Sequence, residues 1–143
     1  MSMQGYNVTW IFNAATDRAL FCKRQKEPYK GLYNLVGGKI ETDEDSLSAA
    51  YRELREETGI TDIELVHVMD FTYYHTRQSP RCDACRVEVY FGKLKADIEV
   101  SGDENELVWL DVNENFFDMS RFAVEGNIGH IYEIIKQNLN QAG

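Results

Sequence analysis

The sequence lacks the features of several large protein classes. Basic residues are in the minority, with 15 Lys and Arg against 24 Asp and Glu. The net charge of −9 argues against general binding of nucleic acids or anionic membranes, because their phosphates attract basic patches. No apolar run approaches the length of a membrane span, and the N-terminus lacks the basic, then apolar, pattern of a signal peptide. We therefore expect a cytoplasmic protein that binds neither nucleic-acid polymers nor membranes.

Cysteine is also scarce. Cys22, Cys82 and Cys85 are an odd number, which does not fit the paired framework of a small secreted protein. Cys82 and Cys85 form a C-x-x-C in a polar stretch, where zinc would need two further ligands and His75 is the one histidine nearby. We interpret Cys82 and Cys85 as free thiols in or beside a loop.

The order of elements indicates an α+β fold. The chain of 143 residues suffices for one domain with a substantial core, and no repeat or low-complexity linker divides it. A helical pattern covers residues 128–139, and residues 99–106 form an acidic loop. Strand-like segments cover residues 6–13, 19–23, 63–74, 86–94 and 107–110. We predict a single domain over residues 1–143.

The segment GKIETDEDSLSAAYRELREETGI, residues 38–60, carries the most informative acids. Glu53, Glu56 and Glu57 lie on one face of a predicted helix, because positions i, i+3 and i+4 converge. Three carboxylates there repel one another, and a cation among them reverses that balance. Since hard oxygen ligands suit Mg²⁺ or Mn²⁺, this face is a candidate site for one of these metals.

The ends and the apolar side of this helix can also be predicted. Asp45 is a good N-cap candidate, and Gly59 supplies the left-handed residue that commonly ends a helix. Between them, apolar residues spaced i, i+3, i+4 and i+7 predict a stripe that packs on a sheet. These residues are Leu47, Ala50, Tyr51 and Leu54. The helix is expected to bury this side and to show its acids to a cleft.

The same segment resembles the Nudix box, G-x5-E-x7-R-E-U-x-E-E-x-G-U with U a bulky aliphatic residue, at all nine specified positions. A solvated acidic helix capped by glycine would not account for Gly37-Gly38 or Glu44. The resemblance covers nearly the whole chain and implies the Nudix α/β/α sandwich with a mixed β-sheet. It also implies a hydrolase of nucleoside diphosphates linked to another group, with Mg²⁺ as the cofactor and Mn²⁺ as a substitute.

The resemblance further implies which residues hold the metal. Glu56 and Glu57 are the expected ligands, often joined by Glu53 and by the main-chain carbonyl of Gly37. Arg52 is expected to orient these acids rather than to attack the substrate.

Glu44 is the expected ion-pair partner of Arg52. For the general base, Glu53 is the first candidate and Glu104 the second. Glu104 lies five residues before Trp109, a spacing that resembles that of a metal ligand outside the box in one Nudix branch. Asp103 and Glu106 are close competitors, and all three acids also fit a solvated acidic loop.

Candidate substrate contacts lie outside the box. The run LYNLVGGK, residues 32–39, resembles the W-N-x-F-G-G-K run of oxidised-purine nucleoside triphosphatases. In that branch the asparagine hydrogen-bonds the purine, and Asn34 has the matching place; a turn residue before the glycines is an equally good interpretation. Arg24 and Lys39 are candidates for phosphate contacts, and Tyr29 for stacking on a base.

The resemblance leaves the substrate open. The oxidised-purine branch carries a tryptophan and paired aspartates after its F-x-D-M segment, where this chain has SRFA at residues 120–123. Our first hypothesis is cleavage of a nucleoside triphosphate, oxidised or not, to the monophosphate and pyrophosphate. Hydrolysis of ADP-ribose or another nucleotide sugar is the alternative enzyme, although the proline expected after the box in many such hydrolases is missing. A non-catalytic nucleotide sensor is the third reading, and both monomer and homodimer remain open.

Overall fold

The computed structural model describes residues 3–74, 84–102 and 104–142. The predicted connection at residues 76–85 lies largely outside these ranges, as do His75, Cys82 and Asp103. Within them the chain forms seven strands and two helices. These are β1 (Met3–Phe12), β2 (Arg18–Lys23), β3 (Tyr33–Asn34), β4 (Val36–Lys39), α1 (Ser46–Thr58), β5 (Val66–Tyr74), β6 (Ala84–Lys93), β7 (Glu106–Asp111) and α2 (Asn127–Ala142).

Strand β1 organises a mixed sheet. It pairs in parallel with β6 over its whole length, from Met3 opposite Ala84 to Phe12 opposite Lys93. Its other edge is antiparallel to β4 and, at the end, to β2. The path through the sheet is β3-β2-β1-β6-β5, with β4 attached to β1 and β7 attached to β2. This arrangement confirms the predicted mixed sheet.

The two faces of the sheet carry separate cores, because side chains alternate along each strand. On β1, Trp10 and Phe12 belong to a core with α2, whereas Ile11 belongs to a core with α1. The α2 core also contains Phe21, Val89, Phe116, Phe122, Ile128, Ile131 and Ile135. The α1 core also contains Leu20, Val36, Ala50, Leu54, Ile60 and Tyr90. The α/β/α layering is therefore confirmed.

Helix α1 has the predicted ends. The Asp45 side chain accepts a hydrogen bond from the Ser48 amide at 3.1 Å, and Gly59 ends the helix at φ 80°. The predicted apolar stripe is partly wrong, because Leu47 is 42% exposed.

The buried side of α1 runs instead through Ala49, Ala50, Leu54 and Thr58. Thr58 tolerates burial because its hydroxyl donates to the Leu54 carbonyl at 2.7 Å. A search for apolar residues alone therefore misses one member of this face.

Two of the cysteines lie within strands. Cys22 lies in β2, inside the predicted strand at residues 19–23, and Cys85 is the second residue of β6; both are buried. Cysteine often behaves as a small apolar residue, which explains its place in a strand interior. Burial and the nearby Glu57 raise the pKa of the Cys22 thiol to about 11, so it stays protonated at neutral pH.

Among the described residues, no helix has the length and apolar character needed to cross a membrane.

Replacing Gly59 tests the backbone constraint at the end of α1. A Cβ at this position would have nothing within 4 Å, so the cost of Gly59→Ala comes from the positive φ rather than from a clash. We expect a loss of about 1 kcal/mol in the free energy of unfolding, measured by urea denaturation. Gly5→Ala is the control, because its Cβ would make only ordinary contacts with Ile40. Equal stabilities of the two variants would contradict the constraint.

Candidate active site

Arg52 connects three of the acids. Its guanidinium forms a two-point ion pair with Glu44, including an Nη2–Oε1 distance of 2.9 Å. Its Nη1 lies 3.1 Å from Glu53 Oε1 and 3.1 Å from Glu56 Oε2. The hydrogen bond to Glu44 is the main reason that the pKa of Arg52 is raised and that of Glu44 lowered. Glu44 therefore holds the Arg52 guanidinium, which in turn pairs with Glu53 and Glu56 of α1.

The two glycines of β4 allow a close approach of main chain and side chain. A Cβ on Gly38 would lie 2.6 Å from the carboxyl carbon of Glu53, so the acid covers the place where a side chain would stand. A Cβ on Gly37 would lie 2.0 Å from the main-chain oxygen of Asn7. Glycine is therefore a steric requirement at position 37, where main chain would be hit, whereas a side chain at position 38 would displace the end of the Glu53 side chain.

Glu57 is the most perturbed acid of the site. Burial, the charge of Glu53 and a hydrogen bond with that carboxyl raise its pKa from 4.5 to about 8, and Glu104 adds to the shift. The amide of Gly37 donates to Glu57 and opposes the shift in part. In the metal-free protein, Glu57 therefore keeps a proton that a cation would replace.

A cavity of about 170 Å³ lies among these acids. It is lined by Glu53, Glu56, Glu57, Glu104, Asn105 and Leu107. Four carboxylates around one small space provide the oxygen ligands and the negative charge that a hard divalent cation requires. The residues present therefore fit a metal, whereas a role for the Gly37 carbonyl stays a prediction.

A second, larger cavity of about 310 Å³ shares three of these residues, Glu57, Glu104 and Asn105. Its remaining walls come mainly from β1, β3, β4 and the start of α2. Of the predicted substrate contacts, Arg24, Tyr29 and Asn34 line this cavity. Lys39 lies outside both sets of lining residues; its side chain is exposed and its carbonyl accepts from Arg52 at 3.4 Å.

The three predicted contacts in the larger cavity already have protein partners. The side-chain oxygen of Asn34 accepts from the Leu35 amide at 2.8 Å. Arg24 Nε donates to the Pro28 carbonyl at 3.0 Å. The Tyr29 hydroxyl donates to the Glu125 carboxylate at 2.8 Å. These bonds hold the side chains in place along the cavity.

Several walls of this cavity could not be assigned from the sequence. Asn105 is one; its side-chain oxygen accepts from the Gln25 amide at 3.1 Å and joins two loops. Val124 is another, at a positive φ of 61°. Asn105 lies next to the candidate Glu104, which is the one signal that could have indicated it. Val124 carries no such signal, because a valine at positive φ is unusual.

Comparison with known proteins identifies the family. A family profile of the NUDIX domain matches residues 3–128. The chain belongs to the NUDIX family. The matched range includes both cavities' acids and the whole of α1, so the predicted family and the mixed α+β fold are confirmed.

A relative of known name resembles part of the chain. An ADP-ribose pyrophosphatase of Methanocaldococcus jannaschii is 28% identical over 97 residues, which are 68% of this chain and 56% of that protein. The match thus spans about half of that relative.

Two solved structures show the same fold. The dihydroneopterin triphosphate pyrophosphohydrolase of E. coli has a TM-score of 0.74 at 18% identity, covering 92% of this chain and 95% of its own. The NUDIX domain of Shewanella oneidensis NrtR, complexed with ADP ribose, has a TM-score of 0.75 at 15% identity, covering 97% and 90%.

The raised pKa of Glu57 predicts how magnesium and pH act on stability. Because the folded pKa lies above 4.5, this group stabilises the metal-free protein at low pH, and its contribution is lost as the pH rises to about 8. A cation replaces the proton, so added Mg²⁺ should raise the melting temperature more at about pH 8 than at about pH 5. Thermal denaturation across this range measures the effect.

The matched variant for this experiment is Glu57→Gln, which removes the titrating group. It should flatten the pH dependence of the magnesium effect. A magnesium-induced shift of the same size at both ends of the range in the unaltered protein would contradict the prediction.

Proposed function

We propose that the protein is a metal-dependent pyrophosphohydrolase whose substrates are nucleoside diphosphates linked to another group, X. The observation that supports this most directly is the connection between the two cavities. The acid-lined one suits a metal and the phosphates that it binds, and the larger one has apolar and amide walls suited to a nucleoside. Glu57, Glu104 and Asn105 belong to both. A ligand could therefore extend from one into the other, with its phosphates beside the acids.

The residues that would hold the metal are Glu56 and Glu57, with Glu53 and Glu104 as further ligands. When bound, a divalent metal neutralises phosphate oxygens and lowers the pKa of an attacking water. NUDIX hydrolases generally use such a metal, and we propose Mg²⁺, with Mn²⁺ as a substitute. Arg52 would keep the acids oriented through its ion pairs with Glu44 and Glu53.

Glu53 is our candidate for the general base. Its carboxylate is held between Arg52 and the bare surface of Gly38, which restricts its position without enclosing it completely. A base must lie within hydrogen-bond reach of the proton that it removes, and a fixed carboxylate beside the acid-lined cavity meets this need. Glu104, which is exposed and lines the same cavity, is the second candidate.

A nucleoside triphosphate is our first candidate substrate. The larger cavity, about 310 Å³, is at the small end of the range for ligand sites and suits one base and sugar. The side-chain oxygen of Asn34 already accepts a hydrogen bond from the Leu35 amide. The amino group of the Asn34 side chain is therefore the part that would donate to an acceptor on a purine. Arg24 would lie beside the phosphate end and Tyr29 beside the base.

ADP-ribose is the second candidate substrate. The observation that favours it is the resemblance to the pyrophosphatase of M. jannaschii, whose name refers to ADP-ribose. Both substrates contain a nucleoside diphosphate, so the same metal site would serve either. They differ in the group beyond the second phosphate.

Replacing Glu57 tests the proposed activity. Glu57→Gln keeps the shape but removes a charged metal ligand, and kcat/KM should fall by about 100-fold or more. Activity is measured with Mg²⁺ on a panel of purine and pyrimidine nucleoside triphosphates, an oxidised purine triphosphate and ADP-ribose, with products identified by phosphorus NMR. Glu99→Gln, an exposed acid of the loop before β7, is the control and should retain full activity.

Two results would contradict the proposal. One is that every substrate of the panel survives at micromolar enzyme. The other is tight nucleotide binding without turnover, which would instead support the nucleotide sensor.

Replacing Asn34 tests the recognition of the base. Asn34→Ala removes the donor, so kcat/KM for purine triphosphates should fall by about 10- to 100-fold while pyrimidine triphosphates change little. Asn113→Ala, at an exposed asparagine that lines neither the acid-lined cavity nor the larger one beside it, serves as the control. An unchanged ratio of purine to pyrimidine activity would show that Asn34 only supports the turn before the glycines.

A further inference from the structure

A second group of potential metal ligands lies on β5 and β6, toward the edge of the sheet that is opposite to β4. It consists of His67 and Asp70 on β5 and Glu88 on β6. Each residue offers one ligand atom, and all three atoms lie within 4.8 Å of one another. His67 Nε2 is 2.6 Å from Asp70 Oδ1. Among the described residues, this is the group of three ligands gathered most closely, more closely than the acids of α1.

An irregularity in β5 brings these side chains together. His67 pairs with Tyr90 and Asp70 pairs with Glu88, with a shift of register between His67 and Met69. In a regular strand, residues three apart point to opposite faces. Because Tyr90 and Glu88 share a face, the bulge places His67 and Asp70 on that face as well. Without the bulge the imidazole and the carboxylates would be separated by the sheet.

We propose that His67, Asp70 and Glu88 form a binding site for a transition metal such as Zn²⁺. An imidazole with two carboxylates suits Zn²⁺ and similar divalent ions, whereas Mg²⁺ prefers oxygen ligands alone. Two ligands on opposite sides of such an ion are separated by at most about 4.4 Å, so the three atoms need only a small adjustment. Water would complete the coordination, because His67 and Asp70 are exposed.

In the metal-free protein, the Arg86 guanidinium lies beside two of the three proposed ligands, Asp70 and Glu88. Its Nη2 lies 3.0 Å from Asp70 Oδ2 and 4.0 Å from Glu88 Oε1. The Arg86 side chain is 53% exposed, and exposed ion pairs of this kind are weak. A divalent ion can therefore displace the guanidinium into solvent. The positive charge of Arg86 beside these carboxylates would then be replaced by that of the metal ion.

A buried amide beside Glu88 gives independent support. Asn7 is 1% exposed, and neither its side-chain oxygen nor its nitrogen has a hydrogen-bond partner. Asn7 lies directly opposite Glu88 in the β1–β6 register, so both side chains emerge on the same face. Unpaired buried polar groups are rare and costly. In the metal-bound arrangement, the Asn7 amide would donate to the Glu88 carboxylate and hold it toward the ion.

The proposed site is distinct from the acid-lined cavity. Gly38, Asn7, Glu88 and Asp70 occupy four adjacent strands in register. With strands about 4.8 Å apart, Gly38 and Asp70 are separated by about 14 Å. One metal cannot be shared by the two sites, and each can be altered alone.

Calorimetric titration with Zn²⁺, in excess Mg²⁺ to fill the acidic site, tests the proposal on the full chain. The unaltered protein should bind one equivalent of Zn²⁺, and its melting temperature should rise. His67→Ala should weaken this binding by at least about 100-fold and abolish the thermal shift. Arg86→Gln should strengthen it, because the competing guanidinium is removed. Hydrolysis with Mg²⁺ should be unchanged in His67→Ala.

Two control variants make the result specific. His130→Ala removes another exposed histidine and should bind Zn²⁺ as the unaltered protein does. Cys82→Ser tests whether the C-x-x-C segment supplies the ligands instead, and it should also leave binding unchanged. The proposal is overturned if His67→Ala titrates like the unaltered protein. It is equally overturned if the equivalent of Zn²⁺ is lost in Cys82→Ser but kept in His67→Ala.

Discussion

The electrostatic cost of gathering carboxylates on one side of α1 is the constraint on which the site depends. Glu53, Glu56 and Glu57 repel one another, and the partial burial of Glu57 increases that cost. Arg52 offsets part of it by pairing with Glu44, Glu53 and Glu56 at once. Glu57 contacts this network through Glu53, and burial and the charge of Glu53 raise its pKa, which favours the protonated form. The remaining unfavourable charge is what a divalent cation would relieve.

The fold holds this arrangement through the main chain of β4 and the ends of α1. Gly37 lets β4 lie close to the main chain of β1, and Gly38 leaves the space that the Glu53 side chain of α1 covers. Asp45 and Gly59 fix where the helix begins and ends, and its buried residues determine which side faces the sheet. The buried row through Leu54 and Thr58 anchors the opposite side. The chemistry of the site thus rests on backbone positions as much as on the acids.

The local parts of this picture could be predicted from the sequence. The helix ends, the pairing of Arg52 with Glu44 and the mixed sheet all follow from short-range patterns or from the resemblance to the Nudix box. Several walls of the larger cavity could not be predicted, because residues such as Val124 reach it only through the path of the chain. The burial of Thr58 and the exposure of Leu47 were missed for a similar reason. Each depends on how the helix sits on the sheet.

Anomalous diffraction from crystals soaked in Mn²⁺ tests the central claim most directly, because it locates the ion without any assumption about the substrate. The account predicts an anomalous peak in the acid-lined cavity, within about 2.5 Å of carboxylate oxygens of Glu56 and Glu57. Absence of a peak there, at a Mn²⁺ concentration that stabilises the protein in solution, would contradict it. The acids of α1 would then be a charged surface held by Arg52 alone.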